Sequence, residues 1–301
     1  FHDVWAFTGG CYHFSKVGCK NYIDGCNSCP KSPEEIDGSP FKANRTWKKK
    51  KELFSDLNNL NIVTVSNWLA SQVKQSFLSD KNIEVIYNGY PTNKNKIDIS
   101  NDSRVLHADI KNKFILLAVA NLWGEDKGIS MAYQLALELG NEFCLILVGK
   151  NDVKSKTTPE NVLLWGYEPN ELVLNGLYAL ADLNISFSLE ETFGMTFLEA
   201  ALSGTKSLGF DSTAIGEVIE KMHGFSVKPG DINGMIDIIR KCKKGELSNK
   251  MTAEELNAVQ KLFSTDEMVK RYFRLYQRLT RSETFEGEKQ LPNDNIKQRC
   301  E

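Results

Sequence analysis

Between Leu183 and Phe210 the chain reads as a strand, a polar loop, a helix and a second strand, and this unit constrains the fold more than any other stretch. Leu183–Phe187 is a short apolar, β-like run that ends in a turn carrying two acids, Glu190 and Glu191. Gly194 follows, then an apolar segment of helical length, then Gly204 where a helix C-cap belongs. Lys206–Phe210 resumes a strand-like pattern. Such a crossover is a βαβ unit, and its loop lies at the carboxyl end of a strand, where open α/β sheets bind their ligands. Helix amides near Thr192–Thr196 would point at that loop and favour an anion such as a diphosphate. Glu191 and Glu199 stand eight residues apart, about two helical turns if Glu191 is near the helix start. The pair is then suited to gripping both ends of an elongated polar ligand.

The flanking sequence repeats the alternation. Phe114–Ala120 is an unbroken apolar run, as expected of a parallel strand buried on both faces. Ile129–Leu139 has a helical pattern, Phe143–Val148 and Val162–Trp165 read as strands ahead of Gly149 and Gly166, and Asn170–Ala181 reads as a helix. Further helices are predicted at Asp231–Lys243, Ala253–Phe263 and Asp266–Leu279. Strands and helices alternating through short loops predict an α/β fold with a parallel, doubly wound sheet. Similar signals stand upstream. Leu53, Phe54, Leu57 and Leu60 mark an amphipathic helix behind Arg45 and the run Lys48–Lys51, whose ordinary meaning is a solvated face. Ile62–Val65 reads as a strand, Ser66 as the N-cap of a helix over Asn67–Phe77, and Ile83–Tyr87 as a strand closed by Asn88-Gly89. The expected organisation is an N-terminal domain over 1–98, a linker over 99–112, a second domain over 113–264 and a final helix over 265–281. Residues 282–301 are charged and aperiodic, as in a mobile tail.

With 301 residues, 41% hydrophobic and 25% charged, the chain is long enough to bury a full core in each of two medium domains. A formal net charge of -2 gives no electrostatic case for nucleic acid as a partner. No apolar run approaches the roughly 20 residues of a membrane span. The start at Phe1-His2-Asp3, without Met or signal-peptide architecture, reads as a fragment or processed product that begins inside a domain. Of seven cysteines, four fall between Cys11 and Cys29, which is not an even disulfide framework and points to a reducing, cytoplasmic compartment.

The 183–210 unit resembles the glutamate–seven–glutamate signature of retaining glycosyltransferases of family 4, which have the GT-B fold of two Rossmann-like doubly wound domains. The match comprises Glu191, the Phe193-Gly194 pair, Glu199-Ala200 and Ser203-Gly204-Thr205. A second match is His2-Asp3-x-Trp5, Thr8-Gly9-x-Cys11, Cys19, and Cys26-x-x-Cys29-Pro30, which looks like a segment of the members that build bacterial surface polysaccharides. The resemblance covers roughly residues 2–280, with the N-terminal domain incomplete, and implies that the last helix crosses back to the first domain. It implies transfer of a sugar from a nucleoside-diphosphate sugar to a glycan or lipid-linked acceptor, with no Asp-x-Asp metal motif. By the same resemblance His2 lines the cleft near the donor sugar, Lys127 of Lys127-Gly128 binds the diphosphate, and Glu191 bonds sugar hydroxyls. Glu199 would take the ribose hydroxyls, Tyr167 would border the base, and Thr192, Phe193, Gly194, Met195 and Thr196 would form the phosphate loop. Asn121 occupies the place where the family carries an Arg, offering hydrogen bonds without charge. Members often rest on anionic membranes through basic patches such as Arg45 and Lys48–Lys51, which would place the protein at the inner face of the membrane.

The four clustered cysteines, Cys11, Cys19, Cys26 and Cys29, leave three readings open: thiolate ligands of a structural zinc, reduced part-buried thiols, or one disulfide after oxidation. Two further functions compete with the transferase: a non-catalytic nucleotide-sugar-binding fragment, and another GT-B enzyme such as a nucleotide-sugar epimerase. The Glu191, Glu199 and Lys127 set favours the transferase over the epimerase.

Overall fold

A computed structural model of the chain describes residues 1–287 apart from 32, 34, 35, 93–96, 101, 108, 109, 111 and 152–157. The first part contains helix α1 (Ala43–Ser55), strand β1 (Asn61–Thr64), helix α2 (Asn67–Lys74) and strand β2 (Asn82–Val85). β1 and β2 pair in parallel, Asn61 opposite Asn82. α2 starts where the sequence put its cap, with the Ser66 hydroxyl accepting from the Leu69 amide at 3.2 Å. Lys50 departs from its expected place in a solvated run. It is 7% exposed, its ammonium bonded to the Trp5 and Thr8 carbonyls at 2.5 and 3.1 Å, so that α1 staples the loop before it.

The second part opens with a short helix, α3 (Ser103–His107), in the stretch read as linker, where Ile99, Val105 and Ile110 are buried. It continues with β3 (Phe114–Trp123), α4 (Ile129–Leu139), β4 (Phe143–Asn151), β5 (Val162–Gly166), α5 (Glu171–Leu180), β6 (Leu183–Ile185) and α6 (Met195–Leu202). Then come β7 (Ser207–Phe210), α7 (Ile215–Lys221), β8 (Phe225–Val227), α8 (Ile232–Lys243), α9 (Ala253–Phe263) and α10 (Thr265–Gly287). The strands form one six-stranded sheet, all parallel, in the order β5-β4-β3-β6-β7-β8.

Alternation along β3 shows why its sequence is apolar throughout. Leu116 and Ala118 enter one buried cluster with Tyr133 of α4 and Ile236 of α8; Ile115 and Leu117 enter the opposite one with Leu177 and Tyr178 of α5. A third cluster joins the two parts of the chain, uniting Trp47, Leu69 and Val73 with Phe193, Phe197 and Phe263. α10 runs back along the first sheet, where Arg278 pairs with Glu84. Its helix continues to Gly287, into the stretch expected to be a mobile tail, and the rest of that tail lies outside the described residues. Among the described residues no helix is long and apolar enough to cross a membrane.

Candidate active site

The order in which the chain adds strands reverses between β3 and β6. They are hydrogen-bonded neighbours, Leu116 opposite Leu183, yet β4 and β5 extend to one side while β7 and β8 extend to the other. The loops leaving their carboxyl ends therefore part and open a crevice. After β3 the chain makes one 3-10 turn, Glu125–Lys127, and enters α4 through Gly128 at φ 74°. A Cβ on Gly128 would lie 2.5 Å from that of Phe187, so glycine is what lets this loop close on the one after β6. The β6 loop enters α6 through Gly194 at φ 84°, where a Cβ would meet the Phe197 ring at 2.6 Å.

These contacts bring Lys127 and Glu191 together. The Lys127 ammonium donates to Glu191 Oε1 at 2.7 Å and to Ser188 Oγ at 3.4 Å, in a partly exposed setting. The Glu191 backbone is fixed by the loop after β7: its amide donates to Thr213 Oγ1 at 3.0 Å, and its carbonyl accepts from the Ala214 amide at 3.2 Å. Since α6 begins at Met195, Glu191 stands in the loop and Glu199 one turn into the helix. Their spacing is thus part loop and part helix, not the two helical turns expected. Glu199 is half-buried, and its Oε2 accepts a 2.9 Å hydrogen bond from the Tyr178 hydroxyl. Met195 and Thr196 form the first turn of α6, whose amides have no intrahelical acceptors.

The N-terminal loop closes the crevice from the opposite side. Thr192 Oγ1 donates to the His2 carbonyl at 2.6 Å, and the Lys16 amide donates to Glu190 Oε1 at 2.9 Å. The Lys16 ammonium pairs with Asp126 at 3.1 Å. Between them lies a cavity of about 390 Å³ whose walls include Tyr12, His13 and Lys16 on one side and Asp126, Lys127 and Glu190 on the other. The His2 side chain is exposed, and partial desolvation lowers its imidazole pKa below the usual value.

Other expected site residues fall elsewhere. Phe193 is 2% exposed and packs its ring against Tyr87 and Phe263, so its side chain belongs to the shared core and not to a ligand surface. Asn121 is exposed near the end of β3, which runs on past Ala120 through a register irregularity between Val119 and Leu122. Tyr167 follows β5, two strands from the reversal, 58% exposed with the Lys150 ammonium 5.5 Å from its ring centre.

The cysteines pack together without disulfides: Cys11 and Cys26 are buried, Cys19 and Cys29 half-buried. The Gly9 amide donates to Cys26 Sγ at 3.2 Å. Burial raises the thiol pKa values of Cys11 and Cys26 to about 11 and about 12. Among the described residues no group of three or more His, Cys, Asp or Glu side chains is arranged to hold a metal ion, and the four cysteines stand as free thiols.

Sequence reasoning missed two residues that tie neighbouring elements together. Tyr178 reads as one more apolar position of a helix, and nothing in its spacing marks a polar partner. Glu217 lies on α7, too short to stand out; its carboxylate accepts from the Asn67 and Trp68 amides at the start of α2 at 3.0 and 2.9 Å, and from the Tyr87 hydroxyl at 2.8 Å.

Comparison with known proteins agrees with this architecture. Residues 113–244 match the family model described as glycosyl transferases group 1. N-acetyl-alpha-D-glucosaminyl L-malate synthase of Bacillus anthracis is 32% identical over 139 residues, 46% of this chain and 35% of that protein. The chain thus spans about a third of this curated relative. Among solved structures, a glycosyltransferase from Rickettsia africae superposes with a TM-score of 0.65 at 19% identity, covering 77% of this chain and 67% of that one. HepE of Anabaena, solved with UDP and glucose, gives a TM-score of 0.61 at 18% identity over 82% of this chain and 69% of its own. Residues 113–244 are thus similar to the glycosyl transferases group 1 family, and the fold of the chain is GT-B, as in the solved glycosyltransferases it superposes on.

Proposed function

We propose that the chain is a retaining glycosyltransferase of the family 4 type, moving a sugar from a nucleoside-diphosphate sugar to a glycan or lipid-linked acceptor in polysaccharide biosynthesis. The observation that carries this proposal is the Lys127–Glu191 pair, placed at the reversal of strand order beside the first turn of α6. Cleaving the bond between the sugar and the diphosphate leaves negative charge on the phosphate oxygens and an oxocarbenium-like sugar. Donors already aimed at the leaving group lower that barrier without reorganisation. An ammonium has three N–H donors, and Glu191 and Ser188 engage two of those of Lys127, so a third can serve a phosphate oxygen. The amides of Met195 and Thr196 add the helix-terminus contribution. Glu191 then carries negative charge beside the developing cation and accepts from sugar hydroxyls, while Glu199 accepts from the ribose.

The acceptor enters through the cavity walled by Tyr12, His13 and Lys16. HepE, with a similar fold, was solved with UDP-glucose, which supports a sugar nucleotide as donor. The cytoplasmic face of a membrane suits a lipid-linked acceptor, and the exposed Arg45, Lys48, Lys49 and Lys51 of α1 offer a basic surface to it. Supplying a panel of nucleoside-diphosphate sugars with glycan acceptors and following the new linkage by proton NMR tests the reaction class. The expected product keeps the anomeric configuration of the donor. An inverted product, or no product from any donor, contradicts the assignment.

A further inference from the structure

We propose that Tyr178 is a positioning residue for donor binding, acting through Glu199; this rests on the donor-site assignment above. Tyr178 sits on α5 with no exposed surface, in a cluster of Leu177, Leu117 and Ile146 where an aliphatic side chain would pack without a hydroxyl to satisfy. That hydroxyl donates a 2.9 Å hydrogen bond to Glu199 Oε2. The backbone is tied to the same helix, since Thr205 Oγ1, just past the end of α6, donates to the Tyr178 carbonyl at 2.8 Å. α5 thus holds α6 and the turn that follows it at one point each, and the point on α6 is the carboxylate assigned to the ribose.

A carboxylate on a helix surface samples several rotamers and must lose that freedom when it accepts a ligand hydroxyl. Fixing one oxygen on a buried phenol removes part of that freedom in advance and orients the carboxylate. Burial beside Glu199 also raises the phenol pKa well above its usual value, which keeps Tyr178 protonated as the donor of this bond. A tyrosine that merely filled space would contribute equally whether or not the ligand carried ribose hydroxyls. The distinguishing quantity is therefore the preference for the ribonucleotide over the 2′-deoxyribonucleotide.

The experiment is calorimetric titration of the full chain with UDP and 2′-deoxy-UDP, or the guanosine pair if GDP binds more tightly. It uses the parent, Tyr178→Phe, Glu199→Ala and the double variant, with thermal unfolding of each. The parent is expected to prefer the ribonucleotide by about tenfold, the worth of one hydrogen bond to a charged group. Glu199→Ala should bring that ratio near one. Tyr178→Phe should reduce it severalfold, and the double variant should match Glu199→Ala alone.

If Glu199→Ala removes the preference and Tyr178→Phe retains it, or weakens both nucleotides equally, the positioning role is wrong and the donor site stands. If Glu199→Ala leaves the preference intact, or neither nucleoside diphosphate binds the parent, the donor-site assignment fails and the inference with it. Should Tyr178→Phe not fold, 3-fluorotyrosine at position 178 replaces it. Its fluorine resonance should shift on nucleotide addition in the parent and stay fixed in Glu199→Ala; a resonance unmoved in the parent overturns the inference.

Discussion

In the proposed reaction Lys127 is the residue on which the chemistry turns, and its neighbours explain how one cation could serve. Asn121 stands where relatives of the resembled family carry an Arg, so the β3 loop offers one ammonium where two cations are usual. A hydrogen bond from a charged donor is roughly twice as strong as a neutral one. The ion pair with Glu191 keeps that ammonium oriented before any ligand arrives. Introducing the second cation with Asn121→Arg should tighten nucleoside-diphosphate binding severalfold, and the gain should shrink as salt rises because the position is exposed. Calorimetry at low and high ionic strength measures both. An unchanged affinity at low salt would place Asn121 away from the phosphates.

At the scale of elements, the first domain is fastened to the second at a helix terminus. Glu217 of α7 receives two backbone amides at the start of α2, the position where a negative charge also meets the helix dipole favourably. Glu217→Ala leaves those amides and the Tyr87 hydroxyl without their acceptor, and should cost about 1.5–3 kcal/mol of stability. Glu217→Gln, which keeps the shape, should lose less. Denaturant unfolding with a common m-value checks this, and two variants as stable as the parent would show that the clasp carries no load. Much of this level was legible in the sequence. α4 and α9 fall where their periodicity put them, because a full apolar stripe and glycine or capping signals bound them. α7 and β8 escaped, being too short for any period to accumulate, and β3 outran its apolar run because the exposed Asn121 interrupts the pattern before Leu122 and the buried Trp123. Phe193 was misplaced for a different reason: a motif fixes position in the chain but not which way a side chain turns, and this one turns into the core.

For the whole molecule, the alternation of strands and helices predicted the sheet, and the reversal of its strand order puts the β3 and β6 loops side by side. What no local pattern could show is that one aromatic cluster spans both parts of the chain, since it forms only when α6, α9 and α2 meet. The same assembly draws the His2 loop over the crevice through Thr192 and Lys16, giving it two walls of different origin. The central claim is that the charge at the reversal point, on Lys127, receives the donor diphosphate. The most direct measurement is the dissociation constant of UDP or GDP for the parent and for Lys127→Ala, by calorimetry at two salt concentrations. Loss of a charged hydrogen bond, about 1.5–3 kcal/mol, corresponds to a weakening of roughly tenfold to a hundredfold. That loss should be larger at low salt than at high salt. Equal affinity of the two proteins at both salt concentrations would contradict the claim and place the diphosphate elsewhere.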